Sequence, residues 1–136
     1  ELYRRYGKGD LEGVAALCHQ DLSLIVSPAN GALRYTGRYD GIDAMLQRQT
    51  EAFEEFQYER FEPLEVFGTG DRAAARVAIT LVPKDRDLKI EIELAHIVSV
   101  RDGKVAELHE FFDTDLVRRA LRDYAARYAA GDRTDG

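Results

Sequence analysis

The tightest constraint on the fold lies between Leu88 and Arg101. Leu88, Ile90, Ile92, Leu94, His96, Val98 and Val100 occupy alternate positions, with Lys89, Glu91, Glu93, Ser99 and Arg101 among the residues between them. A period of two places every second side chain on the same face, so this segment reads as a strand with one buried and one solvated surface. Asp102-Gly103 is a strong hairpin signal, and Lys104 to Asp113 is expected to return beside the first strand. A lone hairpin is marginal in water, so the rest of the chain must supply more strands and a layer over the apolar face.

The remaining pattern supplies both. Leu22 to Ser27 reads as a short strand and Phe56 to Phe67 as a long one, with Pro63 marking an edge or a bulge. Arg72 to Val82 is a further strand, bounded by Gly68-Thr69-Gly70-Asp71 and by Pro83-Lys84-Asp85. Helical spacing appears at Leu2, Tyr3 and Tyr6, ending at Gly7 and already running at the first residues, so the natural start is expected upstream. Asp10 is expected to cap a second helix with Leu11, Val14, Ala15 and Cys18 on its apolar face. Asp40 is expected to cap a third, with Asp43 near its positive end and Ile42, Met45, Leu46, Phe53 and Phe56 on one stripe. Asp113 or Thr114 opens the last helix, with Leu116, Val117, Ala120, Leu121, Tyr124 and Tyr128 inward. Its cations Arg118, Arg119, Arg122 and Arg127 read as solvated surface. Helices gathered apart from consecutive hairpins argue for α+β architecture. The expected form is a curved, mostly antiparallel sheet wrapped by three to four helices, which leaves a cone-shaped pocket.

Composition narrows the partners. The 136 residues fit one domain, expected over 1–130, with 131–136 a polar tail. Nineteen basic against 25 acidic residues give a net charge of −6, which argues against nucleic acid or an anionic membrane. Most of the excess lies on residues expected to be exposed, Glu51, Glu54, Glu55, Glu91 and Glu93 among them. Cys18 is the single cysteine, so no internal disulfide and no cysteine-rich zinc site is possible, and three histidines make a poor metal set. No apolar run approaches the ~20 residues of a membrane helix, and a cytoplasmic location is the default.

Several short motifs, in order, carry a resemblance. They are Gly9-Asp10-Leu11, Tyr35-Thr36-Gly37-Arg38 leading into Gly41-Ile42, Gly70-Asp71-Arg72, Val100-Arg101-Asp102-Gly103-Lys104-Val105, and Glu110-Phe111-Phe112-Asp113 before a helix. Together the sequence resembles the nuclear transport factor 2-like superfamily, in its SnoaL-like and ketosteroid-isomerase-like branch. The resemblance implies a cystatin-like α+β roll and covers nearly the whole chain. It says less about chemistry, because this fold hosts isomerases, cyclases, dehydratases, epoxide hydrolases and binding domains.

The branch's reactions fit unequally. Ketosteroid isomerases use a carboxylate base and two acidic donors, a tyrosine and a protonated aspartic acid. The matching places here hold Ser27, Leu2 and Ala95, so that reaction is not implied. For limonene epoxide hydrolases the arginine falls on Arg76 and one aspartate on Glu110. The other aspartate falls on Ala78, which cannot carry a proton. The resemblance to SnoaL-like cyclases survives best. Their acidic residue falls on Glu110 and their histidine on His96, across the Asp102-Gly103 turn.

The residues agree on one point independently. His96 shares the buried face with Leu94 and Val98, and Glu110 shares one with Leu108 and Phe112. A carboxylate among apolar walls would have its pKa raised by desolvation toward useful base strength, with an inward Arg76 opposing that shift. The expected catalytic set is therefore Glu110 as acid/base, His96 as donor or second proton carrier and Arg76 as electrostatic clamp. Tyr35, Met45, Phe53, Leu94 and Phe112 are the expected substrate-binding wall. The expected ligand is small and hydrophobic, and no cofactor or metal is called for. A bland alternative stands beside this one: Arg76 and Glu110 as a structural ion pair, His96 as a core residue, and the cup as a non-catalytic binding module. Asp113 reads as a helix cap and His109 as outward-facing. Val105, Phe111 and Ile97 on the outer sheet face lead us to expect a homodimer.

Overall fold

In a computed structural model the chain builds α1 (Leu2–Gly7), α2 (Leu11–Ala16), β1 (Cys18–Val26), β2 (Gly37–Asp40), α3 (Ile42–Glu55), β3 (Phe56–Thr69), β4 (Arg72–Pro83), β5 (Ile90–Arg101), β6 (Lys104–Phe111) and α4 (Thr114–Gly131). Residues 1–31 and 33–131 are described, the side chains of 127–131 excepted. The expected roles of Arg127 and Tyr128 and the polar tail therefore lie outside the described residues, apart from Gly131 in the backbone of α4.

The six strands form one sheet in the order β2-β1-β6-β5-β4-β3. Every pair is antiparallel except β1 with β6, which run parallel. The architecture is α+β, an open and mostly antiparallel sheet with four helices. β5 and β6 form the expected hairpin. Asp102 (φ 52°) and Gly103 (φ 75°) both take positive φ, the requirement of a tight two-residue turn. Leu22, Leu24 and Val26 of β1, Val77 and Ile79 of β4, and Ile90 and Leu94 of β5 are buried along the sheet. Among the described residues, Val14, Met45, Ala52 and Val117 are the buried apolar residues of the helices that cover it. Each such side chain taken from water stabilises the fold by roughly 1.5–3 kcal/mol when it is Val, Leu, Ile or Met.

Three local readings change. Cys18 is not on a helix. The chain leaves α2 at Leu17, whose carbonyl accepts from Val105 N–H at 3.0 Å, and Cys18 then opens β1 opposite Val105. Asp40 does not cap α3. It ends β2, bonded to Arg38 and Ser23, and Gly41 takes the cap position with φ 90°, a conformation that favours glycine. Val105 does not lie on the outer face. A register shift falls between Ser99↔Glu107 and Val100↔Val105, so Ala106 is an extra residue that reverses the parity of β6. Val105 packs instead against the cluster of Val14, Cys18 and Met45. Asp113 caps α4 as expected, its carboxylate accepting from Leu116 N–H at 3.0 Å.

Candidate functional site

The cup between sheet and helices holds a cavity of about 180 Å³. Its wall is largely apolar, including Leu22, Leu24, Met45, Ile79, Leu94 and Phe112. A buried polar cluster interrupts it. β5 brings His96 and β6 brings Glu110 to paired positions, so their side chains project from neighbouring strands on the same face. His96 Nε2 lies 2.8 Å from Glu110 Oε1, and the two residues are 5% and 9% exposed.

Tyr3 of α1 continues the chain. Its hydroxyl lies 2.9 Å from His96 Nδ1, and its ring stacks on the imidazole at 5.6 Å and 8°. Burial, and next the charge of Glu110, push the Tyr3 phenol up to about 12. The phenol stays protonated, and the imidazole bridges it to Glu110, one ring nitrogen to each. α3 supplies the other side. Arg48 is 9% exposed, and its guanidinium comes within 3.7 Å of Glu110 Oε2. The same guanidinium donates to Gln49 Oε1 and twice to the backbone carbonyl of Tyr35. The Tyr6 hydroxyl donates to Gln49 Oε1 at 2.9 Å. Two polar chains thus converge on one carboxylate, Tyr3–His96 on one oxygen and Tyr6–Gln49–Arg48 near the other.

The electrostatics differ from the expectation in an instructive way. Burial alone pushes the Glu110 carboxyl up. The hydrogen bond and electrostatic pull of His96, with the charge of Arg48, outweigh burial and hold it below the usual carboxylate range. Glu110 is therefore a resting carboxylate, the form that accepts a proton. Among the described residues no three His, Cys, Asp or Glu side chains converge as a metal-binding set.

The SnoaL-like domain family matches residues 1–108. This chain belongs to the SnoaL-like domain family. The matched stretch contains Tyr3, Arg48 and His96 and stops two residues short of Glu110. Solved structures agree on the fold. A nuclear transport factor 2-like protein from Burkholderia xenovorans is 25% identical, with a TM-score of 0.75 and 88% of each chain covered. A candidate isomerase from Rhodopseudomonas palustris is 21% identical, with a TM-score of 0.74, covering 88% of this chain and 90% of that one. A candidate SnoaL-like polyketide cyclase from Mesorhizobium loti is 17% identical, with a TM-score of 0.67, covering 80% and 91%. No curated protein matches the chain.

This SnoaL-like domain brings together most, not all, of the residues singled out from sequence. Glu110, His96, Tyr35, Met45, Leu94 and Phe112 all line the cavity. Arg76 does not reach it. Ala75, Val77 and Ile79 of β4 pack into the core, so strand parity turns Arg76 outward, where it pairs with Glu93 at 2.8 Å and Glu65 at 3.6 Å. Neither the clamp nor the Arg76–Glu110 ion pair forms; the cation facing Glu110 is Arg48. Phe53 stands behind the wall, packed on Tyr6 and Tyr58 at 5.2 and 5.1 Å. Arg48 and Gln49 went unread, although a signal existed. Gln49 falls between Met45 and Ala52 at helical spacing, and a polar residue at that place in an apolar stripe marks a buried network.

Proposed function

We propose that this SnoaL-like domain is a cofactor-independent acid/base enzyme acting on a small, largely apolar carbonyl compound. The observation that carries the reading is the buried Glu110–His96 pair, 2.8 Å apart, on the wall of an apolar cavity. Glu110 takes the proton from the carbon next to the carbonyl group, and that electron pair moves onto the carbonyl oxygen. The guanidinium of Arg48 supplies positive charge where this oxyanion develops, in a site screened from water. His96 holds the other carboxylate oxygen and, through Tyr3, carries protons to and from the site. The enolate then regains a proton at carbon (isomerisation), closes on an electrophile (aldol cyclisation) or expels a neighbouring group (dehydration). The similarity to a candidate isomerase and a candidate polyketide cyclase supports this range without choosing within it.

The rival reading is a non-catalytic module using the same cup. A cavity lined by both Glu110 and His96 supports the enzyme, and the Arg76–Glu110 ion pair that the module reading expects does not form, Arg76 pairing with Glu65 and Glu93 instead. The two separate in one experiment, exchange of the methyl protons of acetophenone in D2O followed by NMR. The enzyme reading expects exchange faster than in buffer; binding with no acceleration would establish the module. Two further parts of the proposal concern context. A homodimer through the outer sheet face is supported by exposed Ile97 and Phe111. The cytosol as compartment is supported by the single free thiol, Cys18.

A further inference from the structure

The volume and charge balance of the cavity limit what can enter it. A buried apolar space of about 150 Å³ takes benzene, and drug-sized ligands occupy pockets of about 300–1,000 Å³. The cavity here is about 180 Å³. Its size has a visible cause. Tyr6, Tyr58 and Phe61 line it and form one aromatic block, with ring centroids 4.7–6.2 Å apart, which fills the cup between α1 and β3. Phe53 locks that block from behind. A larger ligand would have to displace several mutually packed rings, and a packed core resists added volume.

Charge acts on the same ligand. Among the described residues the cavity lining pairs Arg48 with Glu110 inside, beside His96, and Arg34 with Glu55, the opposite charges facing each other at 3.7 and 3.0 Å. The inner pair is already balanced, so a charged ligand would add an uncompensated ion to a buried site.

We propose that the substrate is an uncharged carbonyl compound with a single six-membered ring and a short substituent, and that fused-ring compounds are excluded by the Tyr6–Tyr58–Phe61 block. The proposal rests on the acid/base reading of the site and narrows it. A series with one reacting group tests it: acetophenone, 2-acetylnaphthalene and 2-acetylanthracene, of one, two and three fused rings. Binding to the full chain is read at the His96 ring by NMR, and exchange of the methyl protons in D2O is read in the same samples. Acetophenone is expected to shift the His96 signals saturably and 2-acetylanthracene to bind about tenfold to a hundredfold more weakly or not at all, the scale of overpacking a filled core. Equal or tighter binding of the three-ring ketone at His96, or no binding of acetophenone, overturns the size limit. A charge control uses benzoylformate, the same ring bearing a carboxylate; tighter binding than acetophenone overturns the requirement for an uncharged ligand. Size-selective binding without exchange leaves the limit standing and contradicts the acid/base reading instead.

Discussion

At the scale of the residue, Glu110 carries the account because three opposing influences meet on it. Burial disfavours its charge, while His96 and Arg48 restore it, and the balance leaves the carboxyl depressed. That sign has a consequence for stability. A folded-state pKa below the unfolded value of about 4.3 means that Glu110 stabilises the fold fully above that pH, and that this contribution fades as acid titrates the folded carboxyl. Urea unfolding at pH 7 and pH 3 should therefore show a larger acid-induced loss for the wild type than for Glu110→Gln, which has no proton to bind. Equal losses would contradict the depressed carboxyl. The two arginines offer a contrast at the same scale. Arg48→Met removes one partner of a buried pair and should cost about 3–5 kcal/mol in urea unfolding. Arg76→Ala removes only surface pairs and should stay within about 1 kcal/mol, with acetophenone exchange unchanged.

At the scale of the element, the sequence showed most where a single period ran unbroken. The alternation of β5 placed His96 inside, and the Asp102-Gly103 turn carried the chain back to set Glu110 beside it. The limits of β4 were legible from the flanking turn residues, yet the inward set Ala75, Val77 and Ile79 is what turns Arg76 away, and small alanines on both faces hide that parity. β2 is four residues long and paired only to β1, too short for alternation to declare itself. The parity of Val105 depends on the bulge at Ala106, a two-strand property with no one-strand signature. α3 was legible as a helix and illegible as a site. Its apolar stripe masks Arg48 and Gln49, whose burial makes sense only once Glu110, Tyr6 and the Tyr35 carbonyl stand opposite.

At the scale of the whole molecule, the sheet separates two surfaces with different tasks. Its inner face, closed by the helices, makes an apolar chamber with one polar wall. Its outer face presents Ile97, Phe111 and Phe67 at 40%, 41% and 62% exposure, with His109 stacked on Phe111 at 4.2 Å. Ile97 lies opposite Ala74, which lies opposite Phe67, so the exposed apolar side chains form a cross-strand row. A second copy covering that row is the proposed dimer. Light scattering at micromolar concentration should give twice the 15.4 kDa chain mass, and Ile97→Lys with Phe111→Lys should return the monomer with the fold intact by circular dichroism. A monomeric wild type would remove the dimer and leave the chamber untouched. The chamber's central claim is that Glu110 moves the proton, and Glu110→Gln tests it most directly, because the amide keeps the shape and loses the base. With folding verified, exchange of the acetophenone methyl protons should fall at least ~100-fold in that variant, the lower range for a general base; an unchanged rate would contradict the assignment.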